Sequence, residues 1–172
     1  VGVINADSAL HFPDFRASER TFALVTQVAG RTGRGVRGGM VVVQTFSPEH
    51  PALQSARRHD YAAFAAEELP HRAQLRYPPY GTLARFVVRA EVADAAEAFA
   101  DRIASGLRER IRESLTAGAP TYRVIGPAEC PIPKLRSHFR FHLMLQGLDR
   151  QPLQSLIRQV TEPLEAPAGV QW

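Results

Sequence analysis

The chain has 172 residues, of which 45% are apolar and 22% are charged, so it is long enough for one large domain or two small ones with apolar cores. Basic residues outnumber acidic ones by 21 to 17, and this mild excess is compatible with nucleic acid without proving it. The single cysteine, Cys130, excludes an internal disulfide and a zinc site built from cysteines. No apolar run is long enough to span a membrane.

The start of the chain predicts a strand, a helix and a second strand. Residues 1–5 predict a buried parallel strand, and it opens so abruptly that a larger protein is expected to precede it. Ser18 is the expected N-cap of a helix that places Phe22 and Val25 on one side and ends at glycines. Residues 40–46 predict the second buried strand.

Residues 49–76 predict helices in pieces. Pro51 suits the first turn of one helix, and Asp60 can cap the next, which Pro70 is expected to break or kink. The sequence YPPYG at residues 77–81 places two prolines between aromatics, which predicts a stiff connector at a domain boundary.

Residues 79–172 predict a second domain, after a first domain over residues 1–78. The pattern is strand, helix, strand, then strand, helix, strand, which is the split βαβ arrangement with both helices on one face of a sheet. The predicted strands are residues 83–90, 122–127, 138–145 and an unfinished one from 169, and the helices are residues 93–115 and the segment with Leu153, Leu156, Ile157 and Val160.

Residues 27–34, with the sequence QVAGRTGR, place two arginines three residues apart, each beside a glycine. Glycine lets the backbone approach a ligand closely, and a guanidinium offers a fixed fork of donors that matches phosphate oxygens. The spacing alone equally fits a helix C-terminus with solvated arginines and a glycine stop.

Together with PDFRASER at residues 13–20, this motif resembles the primosomal replication-restart helicases of superfamily two. YPPYG and the sequence IGPA at residues 125–128 extend the resemblance over the whole chain. It implies an α/β fold in which the end of a RecA-like helicase lobe precedes a split βαβ domain that is ferredoxin-like and similar to a ribosomal protein.

The resemblance also implies the nucleotide roles. Arg34 would be the arginine finger on the γ-phosphate of ATP, Arg31 would help to hold the same site, and Gln27 would link nucleotide state to neighbouring motifs. The nucleotide-binding residues so implied are Gly30, Arg31, Gly33 and Arg34.

Lys134 is the only lysine and lies far from any phosphate-loop sequence, so this chain alone is not expected to hydrolyse ATP. ATP and Mg²⁺ are expected in a full-length parent. Zinc is expected in a segment of that parent that this chain lacks, and no metal is expected in the chain itself.

Residues 131–142 are the densest mixture of positive charge and aromatics in the chain. Alternation along a strand places His138, Arg140 and His142 on one face, where the two histidines lie too far apart to chelate one ion. The alternative is an amphipathic strand whose basic side only keeps the domain soluble. The residues expected to contact DNA are Arg16, Lys134, Arg136 and Arg140.

Arg150 and Gln154 begin the last predicted helix one turn apart. The resemblance implies that this helix helps to form a pocket for the acidic C-terminal tail of single-stranded-DNA-binding protein. An arginine can take the terminal carboxylate, with a glutamine amide beside it. A helix-end arginine in water is the alternative.

The resemblance therefore implies a fragment of an ATP-dependent DNA helicase that moves 3′ to 5′, recognises stalled forks and restarts replication by primosome assembly. Its expected partners are forked or single-stranded DNA, primosome proteins and the replicative helicase. A cytoplasmic, nucleoid-associated monomer without membrane contact is expected. The alternatives are a non-catalytic scaffold that binds DNA and single-stranded-DNA-binding protein, and another repair translocase, which would leave YPPYG and the second domain unexplained.

Overall fold

The computed structural model describes residues 1–31, 40–115 and 121–172. The chain forms two compact units, Val1–Leu75 and Arg76–Trp172. Each combines helices with a small sheet, so the chain is mixed α/β. Within the described residues, no helix has the length and apolar content needed to cross a membrane.

The first unit contains a parallel strand pair and several helices. Its elements are β1 (Gly2–Val3), α1 (Asp7–Leu10), α2 (Ala17–Ala29), β2 (Val42–Val43), α3 (Pro51–Arg57) and α4 (Tyr61–Leu75). β1 and β2 are parallel, as predicted, but both are shorter than predicted. The prediction of buried strands was wrong, because only the side with Val3 and Val43 packs on the core, whereas Ile4 and Val42 are exposed.

The core of the first unit forms where α2 meets α3 and α4. Phe22 and Val25 are buried as predicted, and the rings of Phe22 and Phe64 stack with centroids 4.7 Å apart. Ser18 is not the N-cap of α2. The Asp14 carbonyl accepts from the Ala17 N–H at 2.9 Å, so the chain turns into the helix before Ser18.

Side chains cap the N-termini of both α3 and α4. Pro51 lies in the first turn of α3, as predicted, and His50 Nδ1 accepts from the Ala52 N–H at 3.2 Å. Asp60 Oδ1 accepts from the Ala63 N–H at 2.9 Å, which confirms the predicted cap of α4. α4 does not break at Pro70 but continues to Leu75.

The second unit has a three-stranded antiparallel sheet with strand order β3-β5-β4. Both helices lie on one face, because α5 packs on all three strands and on α6. Gln171 forms a single antiparallel bridge with Arg89 where a last strand was predicted. The elements are β3 (Thr82–Ala90), α5 (Ala93–Leu115), β4 (Arg123–Leu135), β5 (His138–Gly147) and α6 (Arg150–Thr161).

β4 extends well beyond its predicted end at residue 127. Its register with β5 shifts twice, between Ile125 and Ala128 and between Glu129 and Lys134. Three prolines in this stretch hide the strand pattern in the sequence, but an edge strand such as β4 tolerates them.

The core of the second unit lies between the sheet and its helices. Phe99, Ile103 and Leu107 of α5 are fully buried on the predicted face, against Leu143 and Leu145 of β5. On β4, the thiol of Cys130 is buried, and its sulfur lies 4.0 Å from Arg85 Nη2.

Candidate functional site

The C-terminal end of α2 presents the first part of the QVAGRTGR motif. Gln27 and Arg31 are exposed, and Gly30 ends the helix with its N–H donating to Thr26 O at 2.9 Å. Gly33 and Arg34 lie outside the described residues. Because a helix C-terminus has a negative partial charge, the end of α2 does not itself attract phosphate, and the exposed guanidinium of Arg31 supplies positive charge there.

Asp7 shapes the loops at the carboxyl ends of β1 and β2. Its Oδ1 accepts from Thr45 Oγ1 and its Oδ2 from the Phe46 N–H, each at 3.0 Å. Burial by itself would raise the pKa of Asp7, but these hydrogen bonds outweigh burial and hold the pKa below its ordinary value. Both carboxylate oxygens are therefore used within the loops.

His11 lies beside Asp7 but does not form a nucleophilic triad with it. The same ring nitrogen, Nε2, is 3.8 Å from Asp7 Oδ1 and 3.4 Å from Ser47 Oγ. A triad needs the carboxylate on one ring nitrogen and the hydroxyl on the other. Asp7, His11 and Ser47 therefore do not form a triad of this kind.

The face of the second sheet opposite α5 and α6, called here the helix-free face of the second unit, collects basic side chains. Phe141, Leu143 and Leu145 of β5 are buried under the helices, so the alternate residues His138, Arg140 and His142 face the other way, as predicted. Arg140 is opposite Arg89 of β3, and Arg85 lies on the same face, further along β3.

The pKa of His142 reflects this positive surrounding. Burial, followed by the charges of Arg85 and Arg140, lowers the pKa of His142 below its ordinary value. Among the described residues, its buried Nδ1 has no hydrogen-bond partner. A neutral imidazole thus lies between cations on this face.

The turn from β4 to β5 adds another cation. Arg136 and Ser137 both have positive φ angles, 49° and 68°, as a two-residue hairpin turn requires. His138 Nδ1 donates to the Arg136 carbonyl at 2.9 Å, which fixes the ring tautomer.

A groove of about 670 Å³ joins the turn to the helix-free face. Among the described residues that line it, the charged ones are all basic. Like charges directly opposite one another destabilise a sheet, so Arg89 and Arg140 gain if an anion lies between them. The residues that line this basic groove are Val87, Arg89, Leu135, Arg136, His138, Arg140, Gln171 and Trp172.

Two of the four residues predicted to contact DNA line the basic groove. Arg136 and Arg140 both line the basic groove, whereas Lys134 is opposite Phe139 and lies 4.4 Å from the centre of that ring. Arg16 belongs to the first unit, at the N-cap of α2.

The sequence predictions missed Arg85 and Arg89. The sequence pattern could have indicated them, because Arg85 and Arg89 are four residues apart on a predicted strand and therefore share one of its faces. Only the register with β5 shows that Arg89 lies opposite Arg140.

Arg150 and Gln154 lie at the start of α6. Arg150 is its first residue, both side chains are exposed, and residues four apart share one side of a helix. The positive partial charge of a helix N-terminus favours a carboxylate at this end. Among the described residues, no group of three or more His, Cys, Asp or Glu side chains could hold a metal ion.

Comparison with known proteins gives consistent matches. The family model of the primosomal protein N C-terminal domain matches residues 73–171. The replication restart protein PriA of Bacillus subtilis is 37% identical over 162 residues, which cover 94% of this chain and 19% of the relative.

Two further relatives bear the same name. The PriA of Treponema pallidum is 39% identical over 171 residues, covering 99% of this chain and 25% of the relative. The PriA of Synechocystis is 36% identical over 146 residues, covering 85% of this chain and 17% of the relative. The chain therefore spans between 17% and 25% of the length of these three relatives.

Proposed function

The chain belongs to the primosomal protein N C-terminal domain family, and from that premise we propose that it is part of an ATP-dependent DNA helicase that recognises stalled forks and restarts replication. Its similarity to replication restart proteins over most of its length supports this role. The single observation that carries the DNA-binding part is the basic groove, in which Arg89, Arg136 and Arg140 meet.

DNA would bind in this groove through its phosphates. Guanidinium groups match phosphate oxygens, and each phosphate neutralised releases counterions, so affinity falls as salt rises. Lys134 lies beside Phe139 rather than in the groove, so its contribution to DNA binding would be smaller than those of Arg136 and Arg140.

The test is charge reversal in the protein at its full natural length. The groove variant combines Arg89→Glu, Arg136→Glu and Arg140→Glu. We expect it to bind forked DNA at least tenfold more weakly than the wild type. The salt slope should fall by about one for each phosphate that is no longer neutralised. The control is reversal of the exposed Arg110, Arg112 and Arg158 on the helices of the same unit.

The groove variant keeps like charges opposite one another at positions 89 and 140, so its sheet faces the same repulsion as the wild type. Unchanged affinity and salt slope in the groove variant would remove the DNA-binding proposal. Equal losses of affinity in the groove and control variants would reduce it to an effect of net charge.

The nucleotide role rests on the end of α2. Arg31 and Arg34 would act on an ATP whose phosphates and Mg²⁺ are held by residues outside this chain. Gly30 and Gly33 would let the backbone approach the nucleotide, and Gln27 would link nucleotide state to neighbouring motifs. Exposure of Gln27 and Arg31 at one helix end supports this arrangement. Any zinc would bind in another segment of the longer protein.

An arginine finger acts on the transition state. We therefore expect Arg34→Ala to abolish DNA-stimulated ATP hydrolysis in the full-length protein and to leave DNA affinity unchanged. Arg37→Ala, a nearby arginine outside the motif, is the control. Turnover retained by Arg34→Ala would refute the finger, and a wild type without ATPase activity would favour the non-catalytic scaffold.

Arg150 and Gln154 would hold the C-terminal tail of single-stranded-DNA-binding protein. The exposed arginine at the N-terminus of α6 supports recognition of a carboxylate. A tail-peptide titration should show at least tenfold weaker binding for Arg150→Ala, whereas Arg158→Ala at the other end of α6 should bind as the wild type does. Equal affinity of both variants would end this proposal.

The remaining partners and the location follow from the proposed role. Primosome proteins and the replicative helicase would assemble with this protein, which would act as a monomer in the cytoplasm at the nucleoid. The parallel pair β1 and β2, joined through α2, supports the end of a RecA-like lobe up to residue 78. The strand order and the Gln171 bridge support a ferredoxin-like domain from residue 79.

A further inference from the structure

Arg72 on α4 connects that helix to the start of α2. Its side chain is only 12% exposed, and its guanidinium donates to Glu68 Oε1 and to Glu19 Oε2, each at 2.9 Å. Burial by itself would lower the pKa of Arg72, but the hydrogen bonds and charges of Glu19 and Glu68 outweigh burial and raise the pKa above its ordinary value. This guanidinium is therefore a charged link between two helices.

The same guanidinium contacts an aromatic ring of PDFRASER. The central carbon of the Arg72 guanidinium lies 5.4 Å from the centre of the Phe15 ring, and that of Arg16 lies 4.9 Å away. Both distances are within the range of cation–π attraction. Phe15 is therefore held by two cations.

The other charged residues of PDFRASER also bind within the first unit. Asp14 Oδ1 accepts from the Arg16 N–H at 2.9 Å, and Asp14 Oδ2 pairs with Arg20 Nη1 at 3.0 Å. PDFRASER thus uses its charges to fix the start of α2, and Arg72 connects that start to α4.

The direction of α2 determines where the arginine motif lies. A helix of 13 residues is about 20 Å long, so a tilt of about 3° at one end moves the other end by about 1 Å. A displacement of that size at a catalytic group can cost about 100-fold in rate. Gln27, Gly30 and Arg31 lie at the far end.

We propose that Arg72 is a positioning residue for the arginine motif: through Glu19 and Phe15 it sets the direction in which α2 presents Gln27 and Arg31. This inference rests on the proposed nucleotide role of that motif. Arg72 itself would not touch the nucleotide.

The first test measures ATP hydrolysis by the full-length protein. We expect Arg72→Gln to lower kcat at least tenfold and to leave KM for ATP within about twofold, because a misplaced finger weakens the transition state rather than ground-state binding. In Arg72→Lys, the lysine can reach one carboxylate but lacks the planar fork of arginine. Its kcat should therefore lie between those of the wild type and Arg72→Gln. Arg110→Gln, which breaks the exposed 3.0 Å pair with Glu113, should match the wild type.

The second test needs no activity. Amide hydrogen exchange over residues 14–22 should become faster in Arg72→Gln and stay unchanged in Arg110→Gln. If Arg72→Gln does not fold, Glu19→Gln removes the interhelix ion pair from its half-exposed side and should give a smaller change in the same direction.

The outcomes separate this inference from the proposed function. Wild-type kcat in Arg72→Gln, beside an inactive Arg34→Ala, would overturn the positioning role alone. Retained turnover in Arg34→Ala, or a wild type without ATPase activity, would defeat the proposed function. In that case, amide hydrogen exchange in Arg72→Gln still tests whether Arg72 holds the start of α2. Unchanged exchange over residues 14–22 would overturn the positioning role as well.

Discussion

Gly126 occupies the first register shift of β4, where a side chain has no room. Its φ is +92°, and a Cβ added there would lie 2.9 Å from the His142 carbonyl oxygen. Its own carbonyl accepts from Arg108 Nη2 at 2.6 Å, which connects the irregular strand to α5. Gly169 also has a positive φ, +83°, but open space surrounds it.

This pair of glycines separates backbone strain from steric clash. A left-handed conformation costs a residue with a Cβ about 1–2 kcal/mol. We therefore expect Gly169→Ala to lower the free energy of unfolding by about that amount. Gly126→Ala should lower it by roughly 2–4 kcal/mol, because backbone overlap adds to the strain.

Urea unfolding of both variants at neutral pH would measure the difference. Equal decreases in the free energy of unfolding at the two positions would show that β4 shifts to accommodate a methyl group. The rest of the sheet would then be less rigid than the packing around Leu143 indicates.

Individual helices depend on side chains whose roles the sequence only partly predicts. Asp60 was predicted as a cap because aspartate is a common cap, whereas His50 is recognised only from its contact with the Ala52 N–H. Ser18 has the right chemistry, but Asp14 starts the helix earlier. Pro70 is tolerated within α4, and the Arg72–Glu68 pair supports the turn around it, a contact that propensity does not consider.

The cap of α3 makes the first unit sensitive to acid. Burial, followed by the charge of His11, lowers the pKa of His50 below its ordinary value of 6.5, although Glu68 opposes the shift. The unfolded state therefore binds a proton more readily, so stability is complete above about pH 6.5 and falls as the pH decreases through the folded pKa. Protonation of Nδ1 also removes the acceptor for the Ala52 N–H.

His50→Asn keeps a capping oxygen that does not titrate. We expect the variant to lose less stability than the wild type between pH 7 and pH 5, by up to about 1 kcal/mol, in urea unfolding followed by circular dichroism. His142, in the second unit, contributes the same pH dependence to the wild type and to His50→Asn, so its contribution cancels in this comparison. Identical pH dependence would mean that His50 does not control the stability of α3.

At the scale of the whole molecule, the two units differ in how completely they bury their apolar residues. The core of the second unit, from Val88 to Val170, lies entirely within Arg76–Trp172. In the first unit, Ile4 just after β1 is 83% exposed and Met40 just before β2 is 76% exposed. Parallel strands are normally covered on both faces.

We therefore expect residues 76–172 to fold alone. The isolated segment should unfold cooperatively on heating, with a midpoint within a few degrees of the corresponding transition in the whole chain. Calorimetry would check this. A broad transition without a heat-absorption peak would mean that the second unit needs the first, despite its self-contained core.

The candidate site was predictable to the extent that it lies within single segments. The cations of residues 131–142 and their alternation follow from the strand period. The groove could not be predicted in this way, because Arg89 and Arg140 are far apart in sequence and meet only through the register of β3 and β5. Local patterns contain no information on that register.

The buried Cys130 thiol gives the second unit a built-in kinetic reporter. It lies on β4 within the second register shift, beside Arg85, and because it is buried we expect a small alkylating reagent to reach it only when β4 separates from β5. The labelling rate in native buffer would thus measure how often this edge of the sheet opens. DNA bound across the helix-free face should slow that labelling, so one thiol would report occupancy of a surface that it does not itself form.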